Sequence, residues 1–300
     1  MNRLLVWKEF SIYSGPSFST TRHSHFFVQL CIANEGEFRL RGKNGIWRSY
    51  RAALIPSGVS HETEKSDRNF TIVLLDPLSF QTGILSKING TGGEPGIDVS
   101  EKFSSEDIQF LLSIFENVSE ESKKKFLDFF ESKFEISGQD SELSTGNSNI
   151  ETLNRKSDVD PPSAKKSAAA LFRRKEPNVP IDPRILECVE ILSSAYDSTS
   201  PFEKEISLSE LANRVKLSPG RFRHLFREET NITFSGYKLW LKTGKAILSL
   251  AGNPELTAAA YEGGFSDQAH FSRIFRRSFG MSPSDFAKKP DRFQVRFFFS

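Results

Sequence analysis

Cysteine is scarce: Cys31 and Cys188 are the only two in 300 residues, and neither has a Cys or His around it at metal-finger spacing. A disulfide scaffold and a structural zinc finger are thereby excluded. Long apolar runs are missing too. The longest, Phe26 to Ala33, contains Gln29, and Met1 to Ser11 has isolated charges and no apolar centre. No membrane-spanning helix and no secretory leader are expected, which places the chain in the cytoplasm. Excess charge of one sign is also absent: 40 Lys and Arg stand against 38 Asp and Glu, a net of +2. The total therefore says nothing about nucleic acid. At this length two domains are expected rather than one.

What is present differs in texture along the chain. From Leu4 to about Leu78 apolar residues alternate on a period of two, as in Phe26, Val28, Leu30 and Ile32 against Phe27, Gln29, Cys31 and Ala33. Asn34-Glu35-Gly36, Pro56, Gly58 and Asp76-Pro77 break the run, so short antiparallel strands in a sandwich or barrel are predicted. From Ser104 to Phe134 the period becomes helical. Ile108, Leu111, Leu112 and Phe115 form one stripe, and Phe126, Phe129, Phe130 and Phe134 another. These stripes either cover one sheet face or pair with a second subunit. Gln139 to Pro180 is rich in Ser, Asn, Lys and Pro with no period able to bury a face, and reads as a disordered linker. Its basic segment, Lys165 to Lys175, is either solvated or in contact with phosphates. The expected fold class is α+β and multi-domain: a β-barrel over 1–80, a helical pair over 100–136, a linker over 137–180 and an all-α domain over 181–289.

Positive charge is concentrated in that last domain. Arg214 to Lys289 holds 13 Lys or Arg against 6 Asp or Glu, whereas Ile181 to Asn213 holds 2 against 7. Just ahead of the basic stretch, Ser207-Leu208-Ser209-Glu210 reads as a capping box followed by Leu211, Ala212 and Val215. Ser218-Pro219 supplies a second N-cap with Pro at the first helical position, where its missing N–H costs nothing. In the helix that follows, Phe222, Leu225 and Phe226 face inward. Gly220, Arg223, His224 and Arg227 share the opposite face at i, i+3, i+4 and i+7, with Arg221 beside them. Arg can bond guanine O6 and N7 together, and His can donate to purine N7 or phosphate. A basic surface helix is the plain alternative, and a second copy of the pattern argues against it. Leu256 to Glu262 predicts a short helix, Gly263-Gly264 a break, Ser266 an N-cap, and Asp267 to Phe279 a longer helix. Phe271, Ile274 and Phe275 point inward there, with Ala269, Ser272, Arg273 and Arg276 opposite. Phe234 to Leu250 joins the units over roughly 26 Å of helix, comparable with the roughly 34 Å between successive major grooves.

These residues resemble the AraC/XylS-type DNA-binding domain of bacterial transcription regulators. The likeness rests on Leu211-Ala212, Leu217-Ser218-Pro219, Leu225-Phe226-Arg227, Thr230 and Tyr237 in the first half. In the second it rests on Gly264-Phe265-Ser266-Asp267-Gln268, His270-Phe271-Ser272-Arg273, Phe275-Arg276-Arg277 and Phe279-Gly280-Met281-Ser282-Pro283. The resemblance implies that Arg223, His224, Gln268, His270, Ser272 and Arg273 contact bases or phosphates, with Arg221, Arg227 and Arg276 beside them. It implies promoter DNA as a partner, together with RNA polymerase, a small-molecule effector and a homodimer, and no membrane. Three departures stand out. Asn231 replaces a usual Gly at little cost, since Asn also tolerates a left-handed conformation; Ala259 and Gly263 replace larger aliphatic residues and Gly244 interrupts the connecting helix, which predicts a looser second unit.

The sheet domain resembles a cupin. His23-x-His25, Gln29, Gly36 and Pro56-x-Gly58-x-x-His61 follow that spacing, and alternation sets His23 and His25 on one side of a strand. Three imidazoles suit zinc, iron or nickel, but Gln29 stands where the pattern has a carboxylate and Lys65 at the last ligand-type position. His23, His25, Gln29 and His61 are accordingly expected either to line a small-molecule site without a metal or other cofactor, or to belong to a folded relic used for dimerisation or packing. A metal-dependent cupin enzyme with an accessory DNA-binding domain is the alternative. No distinct general base or substrate clamp supports it, so the chain is not expected to be an enzyme.

Overall fold

The computed structural model of the chain describes residues 2–7, 10–17, 19–78, 93–134, 181–197, 206–252, 255–287 and 293–298. The expected linker, with its basic segment, lies outside the described residues. The alternating stretches form β1 (Asn2–Trp7), β2 (Phe10–Pro16), β3 (Val28–Ala33), β4 (Phe38–Arg41), β5 (Trp47–Tyr50) and β6 (Ala52–Ile55). β7 (Glu62–Thr63), β8 (Asn69–Leu75), β9 (Ile97–Asp98) and β10 (Phe293–Phe298) complete the strands. They make a seven-stranded sheet in the order β10-β1-β2-β8-β3-β6-β9 and a three-stranded sheet in the order β5-β4-β7.

β3 shows how period-two patterning builds the layers. Val28, Leu30 and Ile32 face one side, where with Ile12 and Val73 they meet α1 (Ser105–Ser113) and α2 (Glu120–Lys133). Leu111, Phe126 and Phe130 are the buried knobs of those helices, each worth about 1.5–3 kcal/mol by burial. Both helices start at true capping boxes, Ser104 with Asp107 and Ser119 with Ser122. The two apolar stripes are thus spent on the sheet of their own chain. Cys31 and Ala33 face the other way, toward Phe38, Leu40 and Tyr50 of the small sheet.

The closed barrel expected from the sequence is not formed among the described residues. β4 has four residues and β7 only two, so the small sheet is too short to cover the large one and close on its edges. The helical domain covers what remains. That domain comprises α3 (Pro183–Asp197), α4 (Leu208–Arg214), α5 (Pro219–Thr230), α6 (Phe234–Gly252), α7 (Leu256–Glu262), α8 (Gln268–Phe279) and α9 (Pro283–Ala287). Ile185, Cys188 and Leu192 of α3 pack with Leu211, Phe222, Phe226 and Tyr237, and Phe26 and Leu78 of the sheet domain enter the same core. Beyond α9 the chain returns to the sheet: β10 runs parallel to β1, from Asn2 beside Phe293 to Trp7 beside Phe298. Among the described residues, no helix is long and apolar enough to cross a membrane.

Candidate nucleic-acid interface and interdomain cavity

The first helix-turn-helix unit forms where its local signals predict. The Ser207 hydroxyl accepts from the Glu210 N–H at 3.1 Å, while the Glu210 carboxylate accepts from the Ser207 N–H at 2.8 Å. α4 ends at Val215, and Lys216 takes a left-handed φ of 55° to turn the chain. Ser218 caps α5 by accepting from the Arg221 N–H at 3.3 Å, with Pro219 at the first position. Asn231 closes the helix in the left-handed region at φ 58°, a conformation that Asn tolerates better than most residues. Phe222, Leu225 and Phe226 are buried, whereas Gly220, Arg221, Arg223, His224 and Arg227 are exposed. The predicted reading face is therefore free on the surface. One detail was not foreseen: His224 Nδ1 lies 2.9 Å from the Glu228 carboxylate one turn on, which sets the ring's direction and puts an acid beside the reader.

The second unit uses different devices. Glu255 makes no side-chain cap for α7. The cap of α8 is Asp267 rather than Ser266: its carboxylate accepts from the His270 N–H at 2.6 Å, and the Ser266 hydroxyl donates to it at 3.0 Å. The His270 N–H bond above all, and the Ser266 hydroxyl after it, hold the Asp267 carboxyl below its usual range. That charge sits favourably on the helix dipole. Phe271 and Phe275 are buried; Gln268, Arg273 and Arg276 are exposed, and His270 and Ser272 are half-buried. His270 meets Phe265 edge-on at 5.4 Å, and Gln268 accepts from the Thr257 hydroxyl at 3.2 Å. The small residues do not loosen this unit. A Cβ on Gly263 would lie 2.7 Å from both the Ala246 Cβ and the Lys242 carbonyl, so glycine there lets α7 seat directly on α6. Ala246, Ala259, Ala260 and Phe271 share the resulting core. Gly244, by contrast, faces open space.

Both units pack on α6, a 19-residue spine of roughly 28 Å. The spine also roofs a cavity of about 520 Å³ against the sheet domain. Tyr13, Ile72 and Leu74 line it from the large sheet, and Leu186 and Val189 from α3. Tyr237, Trp240 and Lys245 of α6 and Met281 complete the opposite wall. His23, His25 and Gln29 supply polar atoms to the same wall as the sheet residues. Sequence reasoning missed the α6 side, because nothing in an amphipathic helix says what its second apolar stripe will face. His23 pairs backbone to backbone with His61 through two 2.9 Å bonds, which brings the three histidines together as expected. Burial, with the charge of His25 next, lowers the His23 pKa to about 4. Burial also lowers His25, and pushes His61 well below the usual value with His23 and His25 adding to it. All three rings are neutral at neutral pH. Cys31, under Gln29, is raised by burial to about 12 and stays a thiol.

A family model described as a helix-turn-helix domain matches residues 211–289. Over 109 residues, 36% of this chain, the sequence is 32% identical to the arabinose operon regulatory protein of Escherichia coli K12. That match covers 35% of the relative, so the chain spans about a third of its length. In fold, 93% of the chain superposes on 96% of ToxT from Vibrio cholerae O395 with a TM-score of 0.52 at 16% identity. A ToxT from strain SCE256 with bound unsaturated fatty acid superposes with a TM-score of 0.51 at 15% identity, over 93% of this chain and 95% of that one. At these identities the likeness is one of fold. Two helix-turn-helix units on one spine, the matching domain model and the regulator relative agree: residues 211–289 are a helix-turn-helix domain similar to that of the arabinose operon regulatory protein.

Proposed function

We propose that the chain is a sequence-specific transcription regulator that sets α5 and α8 into successive major grooves of promoter DNA. The observation that carries this reading is the pair of exposed basic rows, Arg221, Arg223, His224 and Arg227 on one helix and Gln268, Arg273 and Arg276 on the other. Both are held on one spine of roughly the required length. His270 and Ser272, half-buried at the start of α8, are suited to phosphate rather than base edges. Arg223 and Arg273 are the proposed base readers, each worth about 1–3 kcal/mol of discrimination. With Nδ1–H on Glu228, a neutral His224 would offer Nε2 as an acceptor, suited to a base amino group. The net positive charge of residues 214–289 supplies affinity that falls with salt. A regulator of this kind works on RNA polymerase, and a homodimer would add a second pair of readers.

The cavity gives the sheet domain its part. Its walls are mainly apolar, it lies between the two domains, and its size suits a small molecule. A ToxT of similar fold is described with unsaturated fatty acid bound, which supports an elongated apolar effector here, its polar end toward His23, His25 and Gln29. An effector seated between domains shifts their relative arrangement by its differential affinity for the two states.

Binding to fragmented genomic DNA, recovered at two salt concentrations and sequenced, tests the reading. The expected result is a shared site with two blocks about one helical turn apart. Salt-sensitive recovery with no shared site would reduce the domain to a non-specific binder.

A further inference from the structure

We infer that the sheet-domain segment Thr20–Phe27 is a clamp that holds the two recognition units at a fixed separation, and that it thereby determines which spacing between two base blocks the chain accepts. The part concerning DNA rests on the function proposed above; the clamp itself does not. Among the described residues, the buried side chains of the two units form separate clusters, one around Phe222 and Phe226 and one around Phe271 and Phe275, joined along α6. Phe234 and Tyr237 of the first cluster precede Gly244, and Ala246 and Leu250 of the second follow it. A Cβ on Gly244 would meet nothing within 4 Å, so close packing does not require a glycine there. Glycine inside a helix leaves the backbone at its freest to bend. On α6 alone, the two readers would be joined through a soft point.

Thr20–Phe27 bridges that point. On the first unit, Phe26 is buried in the same core as Phe226 and meets Tyr237 edge-on, with 6.0 Å between ring centroids. Its neighbour Phe27 meets Trp240 edge-on at 4.2 Å. On the second unit, the Thr21 N–H and hydroxyl both donate to the Gly280 carbonyl, at 2.8 and 3.1 Å. Gly280 is the left-handed C-cap of α8, at φ 69°. The approach is close: a Cβ there would lie 2.6 Å from the Thr21 carbonyl and from His23 Nδ1. One short segment therefore grips the core of the first unit and the end of the second unit's recognition helix.

The segment can clamp because it is itself fixed to the sheet domain. The Thr20 N–H donates to the Thr63 carbonyl at 3.2 Å, and the Thr20 hydroxyl accepts from the Thr63 N–H at 2.9 Å. His23 and His61 exchange two backbone bonds of 2.9 Å, and the Gly58 N–H donates to the His25 carbonyl at 2.9 Å. Two readers held rigidly engage two blocks together only where the spacing matches, whereas a soft link tolerates mismatch. One added base pair moves the second block by about 3.4 Å and turns it by roughly 35°, which a rigid pair cannot follow.

The test uses the full-length chain with spin labels at Asn213→Cys on α4 and Tyr261→Cys on α7, both exposed, whereas Cys31 and Cys188 are buried. Pulsed electron–electron distance measurements then read the separation of the units without DNA. A single narrow distance is expected. Phe27→Ala, and Gly280→Ala, whose methyl wedges the cap off Thr21, are each expected to about double its width, and adding Gly244→Ala to Phe27→Ala to narrow it again. Equal widths throughout overturn the clamp. The same variants without labels are next titrated with a two-block site recovered from genomic DNA, its spacer lengthened or shortened by one base pair. The parent chain is expected to lose about ten-fold in affinity on either change, and Phe27→Ala about three-fold or less. An equal spacing penalty in parent and variant, despite a broadened distance, overturns the role in spacing. Recovery of no two-block site overturns the DNA reading and the spacing role with it, while the distances still judge the clamp. Should Gly280→Ala fail to fold, Phe27→Ala decides.

Discussion

The two helix-turn-helix units share a pattern and differ in what holds them. The first is held by side chains: the Ser207–Glu210 box, the Ser218 cap, and a core in which Phe222 and Phe226 interlock with Phe234 and Tyr237. The second has its own side-chain cap, Asp267, and a core around Phe271, and adds close approaches that only glycine allows, Gly263 against α6 and Gly280 against Thr20 to His23. Only the second places its recognition-helix cap on the sheet domain. Both units touch the sheet domain, the first through Phe26 and Leu78 in its core and the second through the C-cap of its recognition helix. Small residues, which on propensity alone predict a weaker unit, here serve close approach.

Substitutions can break this contrast, and the largest effects separate the two cores. Phe226→Ala and Phe271→Ala each remove a fully buried ring and are expected to cost about 3–5 kcal/mol in denaturant unfolding. Hydrogen exchange should show the first opening α5 and the second opening α8; a common opening would mean one cooperative core. Acid comes next. His23 has a folded pKa of about 4 against 6.5 for the ordinary ring. The unfolded state thus binds more protons between those values, and stability falls as pH drops through that window, by up to about 3 kcal/mol for this one ring. Thermal melts at pH 7.5 and pH 5 should differ, and exchange at Gly280 should rise before exchange in α5; a flat profile would deny that the histidines are buried neutral.

Smaller effects sharpen the contrast. Gly263→Ala forces a methyl into a 2.7 Å gap and should cost roughly 1–3 kcal/mol, whereas Gly244→Ala meets nothing and should gain about 1 kcal/mol of helix propensity. Melting temperatures that move the same way for both would contradict the packing described. Ser207→Ala should cost about 1 kcal/mol by loss of a cap.

Local physics explains which of these features were legible beforehand. Caps act over three residues, so Ser207, Ser218 and the αL turn at Asn231 could be read directly, and the two recognition faces followed from helical periodicity. The slip from Ser266 to Asp267 is a competition between adjacent good caps. Alternation in β3 likewise named the residues of both sheet faces. Closure of the barrel was not legible, because it depends on how many residues β7 contributes rather than on their pattern. The return of Phe293–Phe298 to β1 and the docking of Gly280 on Thr21 were invisible for a related reason. Backbone carbonyls and strand edges carry no residue signature.

Base-resolved footprinting on a recovered site, comparing the parent chain with Arg223→Ala and Arg273→Ala, tests most directly whether both units read sequence. The account predicts that each variant relaxes base preference in its own block, the two blocks lying about one helical turn apart, while protection elsewhere persists. Uniform weakening of all sequences by either variant would make that arginine a phosphate contact, and relaxation of the same block by both would contradict a two-unit reader.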